Sequence, residues 1–147
     1  MAQYRSFFTG VARLLRPGGR LYSESAGAGN VAAVGALLGD VAAEFSLQPP
    51  PPFPDAGVVF EHVESAGFAL PLDAAKTVAQ RRSFSREELT GFLRSQAAVA
   101  LIRDAPEHLA EAITDALGDG VDRLRRHDGT YDQTFVRLEI LAGRPDG

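Results

Sequence analysis

Apolar residues recur at spacings of three and four at the start of the chain: Tyr4, Phe7, Phe8, Val11, Leu14 and Leu15. That period predicts an amphipathic helix over residues 3–15. Pro17-Gly18-Gly19 stops it, because proline removes a backbone donor and glycine reverses the chain at little steric cost. A short strand follows over 20–25, then a turn at Ala26-Gly27-Ala28-Gly29. Asn30 has the right chemistry to cap the next helix, whose stripe is Val31, Val34, Leu38, Val41 and Phe45 over 31–45. Residues 49–54, Pro-Pro-Pro-Pro-Phe-Pro, read as a stiff connector rather than a helix or strand.

A helix over 55–66 is expected next, capped by Asp55 and closed by Gly67. Phe68 to Leu72 is a candidate strand, and 77–83 continues in extended form. Ser85-Arg86-Glu87-Glu88 is a capping box opening a helix to about Gln96. Asp104-Ala105-Pro106-Glu107 has the same form and predicts a second helix to Leu117, ended by Gly118. A short helix over 120–126 carries Arg123, Arg125 and Arg126. Over 134–142, Val136, Leu138, Ile140 and Ala142 alternate with Phe135, Arg137, Glu139 and Leu141, the pattern of a strand. The fold class is therefore α/β, with three strands. So thin a sheet suggests that the first strand was shaped to have further neighbours.

Composition narrows the function classes. The 147 residues fit one domain, with 45% hydrophobic and 23% charged residues. Net charge is −4, so no nucleic-acid or membrane partner is expected on electrostatic grounds. The absence of cysteine excludes disulfides, thiolate metal sites and cysteine nucleophiles. No apolar run approaches the ~18 residues of a membrane span, and the first residues lack a signal-peptide layout. A cytoplasmic location is the expectation.

The stretch Phe7-Phe8-Thr9-Gly10-Val11-Ala12-Arg13-Leu14-Leu15-Arg16-Pro17-Gly18-Gly19-Arg20-Leu21 resembles the helix, turn and fifth strand of class I S-adenosylmethionine-dependent methyltransferases. Ser25-Ala26-Gly27-Ala28-Gly29-Asn30-Val31 is similar to the Gly-Gly-x-Gly-Asn-(Ile/Val) turn of the trans-aconitate methyltransferase-like group. Val63-Glu64-Ser65-Ala66-Gly67-Phe68 resembles the helix end before the sixth strand, and Phe135 to Ile140 the final antiparallel strand. The resemblance implies a partial Rossmann-like methyltransferase fold, strands 5-7-6 with the last strand antiparallel, plus a helical substrate-cap-like insertion at 85–126. It implies S-adenosylmethionine in full-length relatives and a small-molecule substrate. It implies none of the first four strands here, so no cofactor-binding residue is assigned and this chain alone is not expected to bind the cofactor or to be active. Two alternatives stay open: a split methyltransferase subunit that associates with a partner chain supplying strands 1–4, and a non-catalytic interaction domain that buries the same surface as a homodimer.

Four residues are candidates for substrate contact. Glu24 and Ser25 lie at the C-terminal end of a strand, where open α/β sheets bind ligands. Asn30 follows the turn, although a helix cap is its simplest role. Tyr131 precedes the last strand. No catalytic residue is assigned and no metal site is expected, since His62, His108 and His127 share no ligand spacing. Two weaker readings compete. Gly27-x-Gly29-x-x-Ala32 formally fits a dinucleotide fingerprint, but no acid-ended strand follows it. Ser23-Glu24-Ser25-Ala26-Gly27 partly matches a nucleophile elbow, with Ser23 in place of its first glycine. Arg81-Arg82 and Arg123, Arg125 and Arg126 could clamp a carboxylate, or form a solvated face balanced by Asp122, Asp128 and Asp132.

Overall fold

A computed structural model describes residues 2–70 and 75–147. The elements are α1 (Ala2–Leu14), β1 (Arg20–Ala26), α2 (Ala32–Glu44), α3 (Ala56–Ser65), β2 (Ala75–Arg82), α4 (Arg86–Phe92), α5 (Val99–Ile102), α6 (Ala110–Asp119) and β3 (Gln133–Gly143). The three strands form one sheet in the order β1-β3-β2, and β3 runs antiparallel to β1. This is the α/β arrangement expected, with the last strand central. Two compact units divide the chain: Met1–Asn30 with Phe53–Ala79 and Val136–Gly147, and Val31–Pro52 with Gln80–Phe135.

The first unit is built on one face of β3. Leu138, Ile140 and Ala142 are buried there with Phe8 of α1 and Val59 and Val63 of α3. The α1 stripe is narrower than its sequence suggests: Phe8 is buried while Phe7 is 52% and Leu14 86% exposed. The reversal into β1 needs both glycines. Gly18 has φ +75°, and a Cβ on Gly19 would stand 2.8 Å from the Arg16 carbonyl oxygen. The turn is tied to the end of β3 by Gly18 N–H donating to the Arg144 carbonyl (3.0 Å) and Arg144 N–H to that of Gly19 (2.7 Å). Asp55 caps α3 as expected, its Oδ1 accepting from Gly57 N–H at 2.8 Å. The strand expected over 68–72 reduces to a single bridge between Ala69 and Gly143, and residues 71 and 72 lie outside the described residues. The extended segment expected at 77–83 is β2, beginning at Ala75.

The second unit is helical. Its core joins Val34, Leu37 and Val41 of α2 to Leu89, Leu93, Leu101, Ile113, Leu117 and Val121. The capping box at Ser85 and Glu88 forms in full. The helix does not stop near Gln96. A π-helical turn, Leu93–Ala97, carries it into α5. The buried positions Leu89, Leu93, Ala97 and Leu101 explain why. They recur every four residues, so an ordinary helix of 3.6 residues per turn would rotate them off the core, and one wider turn restores the face.

Three sequence expectations fail here. Asn30 does not cap α2. Val31 occupies that position at φ 40°, ψ 50°, with no side-chain cap. Asp104 does not cap a helix either: Pro106 is extended (ψ 135°), and the chain re-enters helix as a 3-10 turn at Glu107–Leu109 before α6. Gly118 lies inside α6 rather than ending it. A Cβ there would sit 3.0 Å from Arg94 Cγ, so the glycine lets Arg94 cross α6 and reach Asp115 at 2.9 Å. The last helical piece is a 3-10 turn, Gly120–Leu124, shorter than the expected 120–126.

Candidate functional site

The sheet alternation separates the two candidates on β1. Ser25 pairs in register with Leu138 and Ser23 with Ile140, on the helix-covered face. Ser23 and Ser25 line a recess of about 330 Å³ with Tyr4, Phe7, Phe8 and Ile140. No histidine lines it, and Ser25 lies within the strand rather than on an exposed turn. The nucleophile-elbow geometry is therefore absent.

Glu24 belongs to the opposite face, directly across from Glu139. Two like charges facing across a strand pair repel. Arg137 resolves this, its Nε 2.5 Å from Glu24 and its Nη2 3.1 Å from Glu139. Lys76 reaches Glu139 at 3.4 Å, and the Tyr22 hydroxyl donates to both carboxylates at 3.5 and 3.4 Å. Glu24 is thus an ion-paired member of a surface cluster, not an isolated base.

The turn after β1 is occupied by its own structure. Gly27 N–H donates to the Val136 carbonyl and Ala28 N–H to that of Pro54, both at 3.0 Å. Asn30 N–H donates to the Gly27 carbonyl at 3.0 Å and Val31 N–H to that of Thr134 at 2.8 Å. A Cβ at Gly27 would meet Leu138 at 3.3 Å. A pyrophosphate cradle needs free amides and an open approach; these amides are spoken for. With these four amides engaged within the protein, the turn lacks the open cradle that the dinucleotide reading requires. The Asn30 side chain also turns inward, Oδ1 accepting from Val136 N–H at 2.8 Å.

Tyr131 belongs to the second unit, whereas Glu24, Ser25 and Asn30 belong to the first. Its hydroxyl donates to Asp122 Oδ1 at 2.7 Å. Arg86 holds the same carboxylate with a two-pronged contact, 2.8 and 2.9 Å. These two donors, Arg86 first, hold the Asp122 carboxyl well below the usual carboxylate range. The hydrogen bond to Asp122 in turn raises the Tyr131 phenol.

The candidate carboxylate clamp resolves into paired and unpaired members. Arg81 donates to Asp132 (3.0 Å) and Asp128 (2.7 Å), and holds the Asp128 carboxyl well below its ordinary value. Arg82 lies over the rings of Phe84 and Phe135, 5.6 and 5.0 Å from their centres. Arg123 pairs with Asp40. The charge balance of the sequence pointed to Asp122, Asp128 and Asp132 as counterweights of a solvated face, without naming which arginine each would meet. The Arg86–Asp122 contact was not readable from it, since it joins residues 36 apart that only the helical packing brings together. Among the described residues no group of His, Asp and Glu could hold a metal ion, and no helix is long and apolar enough to cross a membrane.

No family model matches the chain, and no curated protein matches it. Solved structures similar to it include a candidate methyltransferase of Bacillus halodurans C-125, with 15% identity, a TM-score of 0.47, 96% of this chain covered and 58% of the other. Another is phosphoethanolamine N-methyltransferase 2 of Haemonchus contortus, in complex with phosphomonomethylethanolamine and S-adenosylhomocysteine. It gives 12% identity, a TM-score of 0.39, and coverage of 96% and 30%. This chain therefore spans less than two thirds of the length of either.

Proposed function

We propose that this chain is the C-terminal portion of a class I S-adenosylmethionine-dependent methyltransferase of the trans-aconitate-like group, acting on a small molecule. The observation that carries the reading is the sheet: order β1-β3-β2, with β3 antiparallel to β1. The resemblance implies that order for strands five, seven and six, with β2, the extended segment that continues from the expected sixth strand at 68–72, taking the place of strand six. Three of the four quoted motifs support the reading by their position. Pro17-Gly18-Gly19 lies between α1 and β1, Ala66-Gly67-Phe68 follows α3, and Phe135 to Ile140 lies in β3.

In this reading the cofactor rests against strands other than these three. No residue of this chain is assigned to it, and no catalytic step is derived through it. Strands completing the sheet would lie along β1, which stands at the edge with no described strand on its other side. Substrate contact would come from the helical segment 85–126 and from Tyr131.

Isothermal titration of the 147-residue chain with S-adenosylmethionine tests the assignment. No saturable heat is expected; micromolar binding would show that the cofactor site lies within these residues. A second reading, an interaction domain, is favoured by the β1 edge and the exposed Phe7 and Tyr22 beside it. Light scattering behind size exclusion separates the two. A stable homodimer supports the interaction domain, and a monomer supports the methyltransferase portion.

A further inference from the structure

Most arginines of the helical unit already have a partner. Arg81, Arg86, Arg94 and Arg123 each pair with an aspartate, and Arg82 stacks on phenylalanine rings. Arg125 and Arg126 are exposed and form no ion pair among the described residues. Both face one recess of about 400 Å³, lined also by Arg123, His127, Asp128 and Ala33. That volume is in the range of small-molecule sites, roughly 300–1,000 Å³.

The recess is held in shape and is positive. Arg126 N–H donates to the Thr130 carbonyl at 2.8 Å and Gly129 N–H to that of Arg126 at 2.9 Å, closing the turn on itself. Asp128 does not cancel the arginines. Its Oδ2 accepts from Arg81 at 2.7 Å, and its Oδ1 accepts from the Thr130 backbone (3.0 Å) and hydroxyl (2.7 Å). Ala33 places the first turn of α2 at the rim, and that helix start has no side-chain cap, so its partial positive charge adds to the same field. In a chain of net charge −4 such a patch runs against the overall balance.

We propose that this recess binds a small multivalent anion bearing carboxylate or phosphate groups, with Arg125 and Arg126 as its two guanidinium donors. Guanidinium matches the geometry of either oxyanion with paired N–H donors, whereas a lone ammonium would act only as a point charge. Two side chains from adjacent positions favour a ligand carrying at least two negative charges within a few bonds. The inference does not rest on the methyl-transfer reading, because the test contains no S-adenosylmethionine.

The test is a nitrogen-15 NMR titration of the 147-residue chain at low ionic strength, with citrate in one arm and inorganic phosphate in the other. Saturable shifts at residues 123–130 and at Ala33 are expected in at least one arm, and the stronger arm identifies the oxyanion. Arg125→Ala with Arg126→Ala should weaken binding about tenfold or more, and Arg103→Ala, at an exposed arginine that does not line the recess, should leave it unchanged. Arg125→Gln with Arg126→Gln repeats the test if the alanine pair disturbs the dispersed spectrum. Linear, unsaturated shifts in both arms, equal weakening by Arg103→Ala, or tighter binding of duplex DNA than of either anion would overturn the proposal.

Discussion

The side-chain Oδ1 of Asn30 accepts a hydrogen bond from the backbone N–H of Val136 at 2.8 Å, joining positions 106 apart in the chain. The turn after β1 is thereby fixed to β3 by a side chain as well as by the Gly27 amide. Replacing Asn30 with alanine leaves a half-buried N–H of β3 without its acceptor. The expected cost is about 1–2 kcal/mol, read from urea denaturation. An unchanged midpoint for Asn30→Ala would show that water replaces the side chain freely.

Val31 sets strain against burial. Its φ of 40° is a conformation that β-branched residues seldom adopt, costing about 1–2 kcal/mol. Its side chain is 8% exposed in the helical core, and burial of a valine contributes about 1.5–3 kcal/mol. The terms nearly offset, so Val31→Gly should change stability by less than about 1 kcal/mol. Val31→Ala keeps the strain and loses most of the burial, and should be the less stable variant by thermal denaturation. The reverse order would mean that the backbone there relaxes without cost.

Gly120 is a packing glycine. A Cβ on it would stand 2.7 Å from Leu37 Cδ1, and Leu37 is only 2% exposed. The leucine has little room to retreat. Gly120→Ala should destabilise by about 1–3 kcal/mol. Combining it with Leu37→Ala should recover part of the loss, so a double-mutant cycle that proves additive would refute the contact.

Acid should weaken the chain through two aspartates. Arg81 and Arg86 hold the carboxyls of Asp128 and Asp122 below the usual carboxylate range. A carboxyl depressed in the folded state stabilises the fold above its unfolded value, about 3.9, and this contribution is lost as pH falls from there toward the folded value. The urea midpoint should therefore drop between pH 6 and pH 3. In Asp122→Asn with Asp128→Asn the drop should be smaller, since neither position titrates. An undiminished drop would assign the acid sensitivity to other carboxylates.

The local grammar of the chain was sufficient for much of this. The capping box at Ser85, the cap at Asp55, the Pro17-Gly18-Gly19 reversal and the alternation in β3 each depend on neighbours a few residues away. Each formed where the sequence placed it. The α/β class and the strand order followed from those elements and the resemblance together. Asn30 was misread because a cap and a cross-strand acceptor demand the same amide chemistry, and only the position of β3 decides between them. Gly118 was misread for a similar reason, since its reason for being glycine is Arg94 on another helix.

Packing alone decided the rest. The period-four run from Leu89 to Leu101 specified a buried face, but the π-helical turn that satisfies it arises only when the neighbouring helices fix where that face must point. Likewise the sequence supplied five arginines in two clusters. Which were neutralised by aspartates and which, as Arg125 and Arg126, formed no ion pair among the described residues depended on distances across the folded helical unit. Short-range sterics and hydrogen bonding are written along the chain; the choice among equally suitable long-range partners is not, because it is made by the geometry of the assembled core.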